Sequence, residues 1–488
     1  MNGWVIFLVL LALYGGLVFY LRSRPKPLPY NLEVNGPLLF WRTQFGKTAI
    51  QKVARPKAFW NVVADIGIVL TWLCGIAVFA LLILSLVQYF ISPKEVAANS
   101  PPPEFLIGLP GVNPLIPVGY GLLALVVALV IHEGSHGVMA YVGNMRVKSL
   151  GLVALIVPIG AFVEPDDEDL AKSTARAKNR VFAAGPTSNL VLALVCGALL
   201  SMVFLSAVTP VNGGNGVVVG SVEPTSAADV AGLHEGDLLT SVRGTTLTNQ
   251  ASYIETMNST LPGERLSIVY LRGGELHNTT AVLGNKYDYV QRVNPSQNKE
   301  EYKQKGFLGV SGIGLGGLTG IKDTLQHPFH SFGDFFLYIG YPFFVFSQGI
   351  DVLASPYNAL FTISGPLAGI PMPIFFGVAT FLYWVVWINL MLGTFNALPA
   401  GPLDGGQMFR ATLVDRLMRR HGVTKDHVTV ERAEMGGMRV MGKDPETQAK
   451  LDKINGTVSR VTMSIGFFIL GLILLPLIAP PLIRLFTG

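Results

Sequence analysis

Two histidines and a glutamate stand at the spacing of a metal site within the apolar segment Val118 to Val142. His132 and His136 are four residues apart, and Glu133 directly follows the first. A spacing of four places both imidazoles on one face of a helix, where their neutral nitrogens can bind one zinc ion. The glutamate is not needed as a ligand, and its carboxylate can act as a general base that takes a proton from an attacking water. The pattern predicts zinc-dependent hydrolysis.

The surroundings of this motif decide between a metal site and a chance match, since H-E-x-x-H is short and also occurs in proteins that bind no metal. Half of the residues are hydrophobic and only 14% are charged, which is typical of a membrane protein. Of the eight histidines, only His132 and His136 lie inside an apolar span. A charged group near the bilayer centre costs about 2.5 to 3.5 kcal/mol even on lenient scales, and a bound metal would compensate for it.

Apolar segments long enough to form membrane-spanning helices, which need about 20 residues, occur six times: Val5–Leu21, Trp60–Ile91, Val118–Val142, Val181–Val208, Ile374–Leu398 and Ile465–Leu485. Basic residues such as Arg22 and Arg42 follow the first segment, and Lys172 and Arg176 follow the third. The positive-inside rule places both loops in the cytoplasm. We therefore expect a multi-pass protein of the cell membrane with both termini outside the cytoplasm. Because the basic residues lie mainly in loops that set the membrane orientation, we do not interpret the net charge of +5 as a sign of nucleic-acid binding. We expect no nucleic-acid partner.

A zinc ion held by two histidines needs a third protein ligand if water is to occupy the fourth position. Glu164 stands in V-E-P-D-D, which we interpret as a turn. The best remaining carboxylate is Asp404, in the run N-A-L-P-A-G-P-L-D-G-G over residues 396–406. The prolines and glycines break the helix there, and irregular backbone at membrane depth is tolerated only where protein encloses it. Topology places His136 and Asp404 near the cytoplasmic ends of their helices.

Short β-rich runs separated by glycines follow the fourth span and indicate a folded insert outside the cytoplasm. The run from Val217 to Leu239, with Arg243-Gly244 after it, resembles the PDZ domains of bacterial-type proteases. Gly232 stands where a short helix ends in those domains, and Gly236-Asp237 stands at a tight turn. The resemblance implies binding of a peptide or protein segment as an added strand. A purely structural insert is the alternative.

H-E-x-x-H in one membrane helix and N-x-x-P-x-x-x-L-D-G in a later one together resemble the site-2 protease family of intramembrane zinc metalloproteases. The likeness covers about residues 119–410. It implies hydrolysis of peptide bonds in or near transmembrane segments of membrane-protein substrates, within the lipid bilayer. It also implies that Zn²⁺ is bound by His132, His136 and Asp404, with Glu133 as the catalytic acid and base.

Two further stretches resemble this family. Residues 185–189 read G-P-T-S-N, and the resemblance implies that Asn189 bonds the substrate or the developing oxyanion. An amide donor in that role can be worth about 3 kcal/mol, whereas the alternative is an amide that packs between helices. Residues 157–162 read V-P-I-G-A-F and resemble a membrane-embedded β-strand or hairpin. Gly160 and Phe162 are thereby implied to hold a substrate segment in extended form, and an ordinary apolar loop is the alternative.

The predicted fold is an α-helical polytopic membrane protein with about six transmembrane helices, a re-entrant or interfacial segment at residues 335–351, and an inserted mixed α/β PDZ-like domain. The predicted domains are a two-helix N-terminal membrane extension (1–115), the first half of a protease core (116–209), the extracytoplasmic PDZ-like domain with its linker (210–331), the second half of the core (332–410), a cytoplasmic loop (411–461) and a C-terminal transmembrane helix (462–488).

Two other classes of function compete with a protease. A binding or scaffold protein would use the PDZ-like insert and keep only a vestigial zinc site, but it would be free to lose Glu133, which is not a ligand. A metal transporter would use the histidines as a transport site. The glutamate at H-E-x-x-H spacing and the single histidine cluster in the membrane disfavour a transporter.

Overall fold

In the computed structural model, the chain forms two compact units. Unit 1 comprises Met1–Leu194 and Val385–Gly488, and unit 2 comprises Val195–Trp384. The structure describes residues 3–24, 28, 31–100, 102–106, 108, 110–155, 157–432 and 438–487.

The helices in chain order are α1 (Gly3–Ser23), α2 (Lys47–Val53), α3 (Lys57–Ile91), α4 (Pro93–Asn99), α5 (Val118–Val142), α6 (Asp167–Lys172), α7 (Ala175–Leu199), α8 (Ala227–Val230), α9 (Gln250–Asn258), α10 (Lys286–Val293), α11 (Leu315–Gln326), α12 (Phe332–Gln348), α13 (Met372–Asn396), α14 (Asp404–Arg420) and α15 (Pro445–Thr487). The strands are β1 (Leu32–Asn35), β2 (Leu38–Thr43), β3 (Val147–Leu155), β4 (Val157–Pro165), β5 (Val208–Pro210), β6 (Val217–Val222), β7 (Leu238–Val242), β8 (Thr245–Thr246), β9 (Arg265–Arg272), β10 (Glu275–Val282), β11 (Gly284–Asn285), β12 (Gly306–Phe307), β13 (Val310–Gly314), β14 (Phe361–Ile363), β15 (Val428–Arg432) and β16 (Met438–Gly442).

Within the described part of the chain, the helices long and apolar enough to cross a membrane are Lys57–Ile91, Val118–Val142, Ala175–Ala207, Met372–Asn396 and Pro445–Leu485. Each of them overlaps a predicted span. The prediction of a polytopic membrane protein is therefore confirmed at the level of these five helices. The sixth predicted span, Val5–Leu21, lies within the helix α1, and the count of six stays a prediction.

The buried face of α5 begins with the small residues Gly121, Ala124 and Ala128 and continues with His132 and His136. The spacing of three and four residues keeps these positions on one side of the helix. Leucines and valines elsewhere on α5, such as those at positions 122, 123 and 126, are exposed. The two histidines therefore continue the helix face that packs inside the protein.

The helix α3 packs against the core of unit 1 through small residues. A Cβ on Gly67 would lie 2.6 Å from the Oγ1 atom of Thr187 on α7, and a Cβ on Gly75 would lie 2.3 Å from the carbonyl oxygen of Ala397. Such close approach excludes any larger residue at Gly75, since the atom it would meet is backbone. The second helix of the N-terminal extension is thus part of the packed core of unit 1.

A four-stranded antiparallel sheet in the order β1-β2-β3-β4 lies in unit 1. The strands β3 and β4 form the hairpin that the resemblance predicts over residues 157–162, while β1 and β2 were not predicted. The prediction of a turn at Glu164 is wrong. This residue lies in β4 and pairs with Ser149 of β3. The turn comes later, where the carboxylate of Asp166 accepts hydrogen bonds from the first amides of α6.

The predicted cytoplasmic loop, residues 411–461, contains regular structure. The helix α14 ends at Arg420, β15 pairs with β16, and α15 begins at Pro445, about five turns before the apolar span predicted from Ile465. Residues 433–437 lie outside the described part of this stretch. Buried Leu451, Ile454 and Val458 recur at helical spacing and account for the early start of α15.

Unit 2 contains an antiparallel sheet in the order β10-β9-β7-β6-β13, with β8 paired to β7. The helix α8 is followed by Gly232 with a φ of +73°, as predicted for a helix end. Arg243 and Gly244, both with positive φ, form a two-residue turn between β7 and β8. The sheet includes β13 and therefore extends to Gly314.

The segment predicted to be re-entrant or interfacial contains the helix α12, which has 17 residues and includes Pro342. At about 1.5 Å per residue, a helix of this length is shorter than the roughly 30 Å hydrocarbon core. It ends at Gln348 and is followed by Gly349, which has a φ of +69°. The hydroxyl of Tyr341 donates to Asp351 at 2.7 Å. This length favours incomplete crossing, and the re-entrant or interfacial assignment stays a prediction.

Candidate metal centre

Three predicted ligands from two separate parts of the sequence meet in unit 1. His132 and His136 on α5 are both buried. The Nε2 atom of His132 lies 3.0 Å from Oδ2 of Asp404, and the Nε2 atom of His136 lies 3.4 Å from Oδ1 of the same carboxylate. One donor atom from each residue falls within 4.8 Å of the other two. No other group of three or more potential ligands occurs among the residues that the structure describes.

The contact between His132 and Asp404 fits a shared metal better than a hydrogen bond. Although the two atoms are 3.0 Å apart, Oδ2 of Asp404 is buried and has no partner in hydrogen-bond geometry among the described residues. Buried polar atoms are normally paired. Two imidazole nitrogens and one carboxylate oxygen form a donor set suited to zinc, with a fourth position left for water.

Gly185 on α7 leaves the space that an ion would need. A Cβ built at this position would lie 2.6 Å from the Nε2 atoms of both His132 and His136. Any side chain at residue 185 would therefore lie against both Nε2 atoms, the atoms through which the two imidazoles also approach Asp404. Glycine in a helix interior costs roughly 0.5 to 1 kcal/mol relative to alanine, so a spatial reason for its presence is required.

Hydrogen bonds on the outer side of each imidazole fix its orientation. The Nδ1 atom of His136 lies 2.7 Å from the carbonyl oxygen of Val181. Nδ1–H can only donate to that carbonyl, and this leaves the Nε2 lone pair free for a metal. On His132, Nδ1 lies 3.2 Å from Nδ2 of Asn189, whose Oδ1 is buried without a partner. Because amide oxygen and nitrogen are interchangeable in shape, rotation of the Asn189 amide would let Oδ1 accept from Nδ1–H.

The strand β4 holds the carboxylate of Glu133. The backbone N–H of Val163 donates to Oε2 of Glu133 at 3.0 Å. The side chain of Val163 packs close to Gly137 on α5, where an added Cβ would lie 3.2 Å from its Cγ1 atom. The strand β4 is thus in contact with the helix that carries both histidines, and the side chain of Glu133 bonds to β4 at this contact.

The turn before Asp404 is tightly packed on its own backbone. A Cβ on Gly405 would lie 2.0 Å from the carbonyl oxygen of Ala397, and a Cβ on Gly406 would lie 2.4 Å from the carbonyl carbon of Ala400. The L-D-G-G sequence therefore folds the start of α14 back against the end of α13. This close return directs the Asp404 carboxylate at the two imidazoles.

The chain matches Peptidase family M50 over residues 120–432, which is more than half of its length. This chain belongs to peptidase family M50. The family is that of the site-2 proteases, so the predicted resemblance is confirmed, as is the enzyme class of zinc metalloendopeptidase of the site-2 type.

Relatives named as metalloproteases agree with this assignment. The zinc metalloprotease RasP of Shouchella clausii is 32% identical over 235 residues, which cover 46% of this chain and 48% of RasP. The chloroplastic membrane metalloprotease ARASP of Arabidopsis thaliana is 23% identical over 59% of this chain and 68% of its own length. The uncharacterized protein MJ0971 of Methanocaldococcus jannaschii is 25% identical over 78% of this chain and 79% of its own length. The chain thus spans about half the length of this RasP.

The M50 match begins within α5 and so excludes the N-terminal hairpin of β1 and β2. That hairpin nevertheless contacts Phe162, one of the residues predicted to hold substrate. Gly160 and Phe162 lie on β4, where they pair with Val153 and Gly151 of β3. The Phe162 ring contacts Phe40 of β2 with ring centroids 5.8 Å apart. The structure brings both residues to the strand that contacts Glu133, but not to the metal ligands.

Replacing Gly185 by alanine should abolish zinc binding, because the added methyl group would lie against both Nε2 atoms. We expect zinc content, measured by elemental analysis of purified protein, to fall from about one ion per chain to near zero. Gly134→Ala is the matched control, since a Cβ at this helical glycine meets nothing within 4 Å. A Gly185→Ala protein with full zinc content would exclude the proposed position of the ion.

Replacing Asp404 by alanine should weaken zinc binding by removing one of three protein ligands. Competition with a chelator of known affinity measures the change, which we expect to exceed the 10- to 100-fold effect typical of outer-shell groups. Asp415→Ala on the same helix serves as the control, since its carboxylate pairs with Arg419 at the surface. Equal zinc affinity in wild type and Asp404→Ala would show that another group supplies the third ligand.

Proposed function

We propose that this M50 member is an intramembrane protease that hydrolyses peptide bonds in or near transmembrane segments of membrane-protein substrates. The observation that carries the proposal is the cluster of buried His132 and His136 with partly buried Asp404, next to Glu133. Both histidines and the glutamate lie on α5, a helix apolar enough to cross a membrane. The printed names of RasP, a zinc metalloprotease, and ARASP, a membrane metalloprotease, support the same activity.

His132, His136 and Asp404 would hold the zinc ion. When bound, zinc supplies a Lewis acid that polarises the scissile carbonyl and lowers the pKa of water to about 7. The space in front of Gly185 and the unpaired Oδ2 of Asp404 support this ligand set.

Glu133 is proposed to move the proton during hydrolysis. Its carboxylate takes a proton from the attacking water while the new C–O bond forms, and it returns that proton to the amine nitrogen as the C–N bond breaks. The hydrogen bond from Val163 N–H to Oε2 keeps the side chain beside the ligands and supports this role.

Asn189 is proposed to act at the same centre. If its amide rotates so that Oδ1 accepts from His132, the Nδ2 group becomes free to donate to the substrate or the developing oxyanion. Such a donor can be worth about 3 kcal/mol in the transition state. The complete burial of Asn189 and the unpaired Oδ1 support an arrangement in which both ends of the amide are used.

The outer edge of β4 is proposed to bind the substrate in extended form. A transmembrane helix has its backbone groups already bonded within itself, so its scissile region must unwind before a carbonyl can be attacked. An open strand edge offers replacement partners for the released backbone groups. Gly160 and Phe162 lie on β4, and the position of this strand at the end of the sheet order supports the proposal.

The bilayer is the proposed environment of unit 1, with both chain termini outside the cytoplasm and the metal centre near the cytoplasmic side. Exposed Val62, Ile66 and Leu73 on α3 support contact with lipid. A cavity of about 1840 Å³ includes Phe182 and Gln407 in its lining, and these residues stand close in sequence to Val181 and Asp404. His132, His136 and Asp404 are not part of this lining, so the cavity supports access of water only to the neighbouring part of α7 and α14.

The sheet of unit 2 is proposed to be an extracytoplasmic PDZ-like domain that binds peptide or protein segments. Its outer strand β13 and the neighbouring helix α9 support this function, because PDZ domains bind a peptide along a strand edge. The side chain of Gln250 on α9 donates to the carbonyl of Gly312 at 2.9 Å and so occupies part of this edge. The predicted domain boundaries are retained in this proposal, and the sheet within residues 210–331 ends with β13 at Gly314.

Replacing Glu133 by glutamine should retain zinc and lower the cleavage of a transmembrane substrate at least 10²-fold, the lower range of general-base catalysis. Cleavage in detergent or proteoliposomes and zinc content are measured on the same preparations. Ser135→Ala is the control from the same motif, since that hydroxyl donates only to the carbonyl of Ile131 at 2.7 Å. Undiminished cleavage by Glu133→Gln would refute the mechanism.

Replacing residues 216–314 by a short flexible linker should alter the choice of substrate more than the chemistry. All three metal ligands and the described hydrogen-bond partners of both histidines lie in unit 1, so we expect full zinc content and Glu133-dependent cleavage. Relative cleavage rates of a panel of substrates measure the change in selectivity. A deletion ending at Asn285 provides the comparison, because it removes β6 and leaves β13 without its partner. Loss of zinc from the 216–314 variant would contradict this division of roles.

A further inference from the structure

We propose that Arg42, in the N-terminal hairpin, is a positioning residue that holds β4 against the active-site helix. The proposal rests on the proposed function of β4 as the strand that orients Glu133 and accepts substrate. Arg42 lies outside the M50 match, and the sequence alone indicated only a basic residue in a cytoplasmic loop.

Arg42 reaches β4 by crossing the intervening strand at a glycine. In the sheet, Arg42 of β2 pairs with Gly151 of β3, which in turn pairs with Phe162 of β4. Directly opposed residues of antiparallel strands have their side chains on the same face. A Cβ on Gly151 would lie 2.4 Å from the Phe162 ring, so the ring fills the space above this glycine. The Arg42 guanidinium then lies over the ring, 5.3 Å from its centroid.

The guanidinium also bonds to polar groups on both neighbouring strands. Its Nη1 donates to the carboxylate of Glu164 on β4 and, at 2.8 Å, to Oγ of Ser149 on β3. Its Nε donates to Glu33 on β1 at 2.8 Å. The hydroxyl of Ser149 donates to Glu164 at 2.6 Å and closes the network. Arg42 is thus the one side chain in this group that contacts β1, β3 and β4 together.

The contacts of Arg42 flank the residue that orients Glu133. Arg42 contacts Phe162 and Glu164, the two neighbours of Val163 in the sequence. Successive side chains of a strand point to opposite faces, so the Val163 side chain points away from Arg42. It packs there against Gly137 of α5, while its N–H bonds to Glu133. The strand is therefore held between α5 on one face and Arg42 on the other.

This part of β4 needs such support because its pairing is limited. Among the residues that the structure describes, β4 is the outer strand and pairs with β3 alone. The register of this pair shifts between Val147 and Ser149 and again between Val153 and Ala154. A strand that receives a substrate on its open edge must keep its position without a second partner strand. Arg42 acts within the short regular stretch between the two register shifts.

Arg42→Ala in the full-length zinc enzyme tests the proposal. We expect unchanged zinc content, faster hydrogen exchange in peptides covering residues 157–165, and a fall of about tenfold in kcat/KM for a transmembrane substrate, the lower range for losing charge-assisted hydrogen bonds. Arg42→Lys keeps the charge but not the planar fork, so it should recover only part of the loss. Lys148→Ala is the control, since this β3 residue forms an exposed ion pair with Asp167 at 2.7 Å.

A second variant covers the case in which Arg42→Ala does not fold. Glu164→Gln keeps the shape of the β4 partner and removes its charge, and it should produce the same local increase in exchange. In the double variant with Arg42→Lys, the fold-increase in exchange should be smaller than the product of the two single fold-increases, because both substitutions act through one contact. Unchanged exchange in residues 157–165 in both Arg42→Ala and Glu164→Gln would overturn the proposal. A wild-type enzyme that cleaves no transmembrane substrate would refute the proposed function, whereas the exchange result would still judge the role of Arg42.

Discussion

The close approach of α7 to two imidazoles on α5 is the constraint on which the rest of unit 1 depends. At Gly185 the backbone of α7 comes so near to His132 and His136 that no side chain fits. The same helix supplies the carbonyl of Val181 and the amide of Asn189, which contact the outer nitrogens of the two rings. One helix therefore provides both the empty space and the orientation that a metal site requires. Gly185 at the close approach and Asn189 about one helical turn later account for the first and last residues of the run G-P-T-S-N.

The other elements of unit 1 meet at this helix pair. The turn before Asp404 folds tightly on its own backbone, and α3 approaches the same turn at Gly75. On the other side, β4 packs on α5 and contributes the amide that bonds Glu133. Polar groups are expensive in an apolar protein unless each has a partner. Each chemical group of the site is accordingly fixed by a neighbouring element: the histidines by α7, the aspartate by its glycine-rich turn and the glutamate by the sheet.

Sequence patterns predicted the residues of the candidate metal centre better than the elements that hold them. His132, Glu133, His136 and Asp404 carry strong signals because only a few residue types can bind zinc or transfer a proton. The apolar spans were visible for a similar reason, since the bilayer fixes their length. The pairing of β2 with β3 was not predictable, because it joins residues far apart in the chain and no local pattern reports it. The run G-P-T-S-N predicted a role for Asn189 but none for Gly185, although a spacing of four residues places both on one face of α7. The start of α15 at Pro445 was not predicted, because the charged residues on its exposed side made this stretch resemble a loop.

The position of Asp404 in the chain has a consequence for assembly. His132 and His136 precede the whole of unit 2, and Asp404 follows it. During synthesis the histidine pair is therefore complete before Asp404 is made, and all of unit 2 is synthesised in between. A metal bound by all three residues closes a loop that contains all of unit 2, and the entropic cost of that closure grows only slowly with loop length. The segment between His136 and Asp404 can consequently vary in length at little cost to the ligand set, and the three ligands can be brought together only after Asp404 has been synthesised.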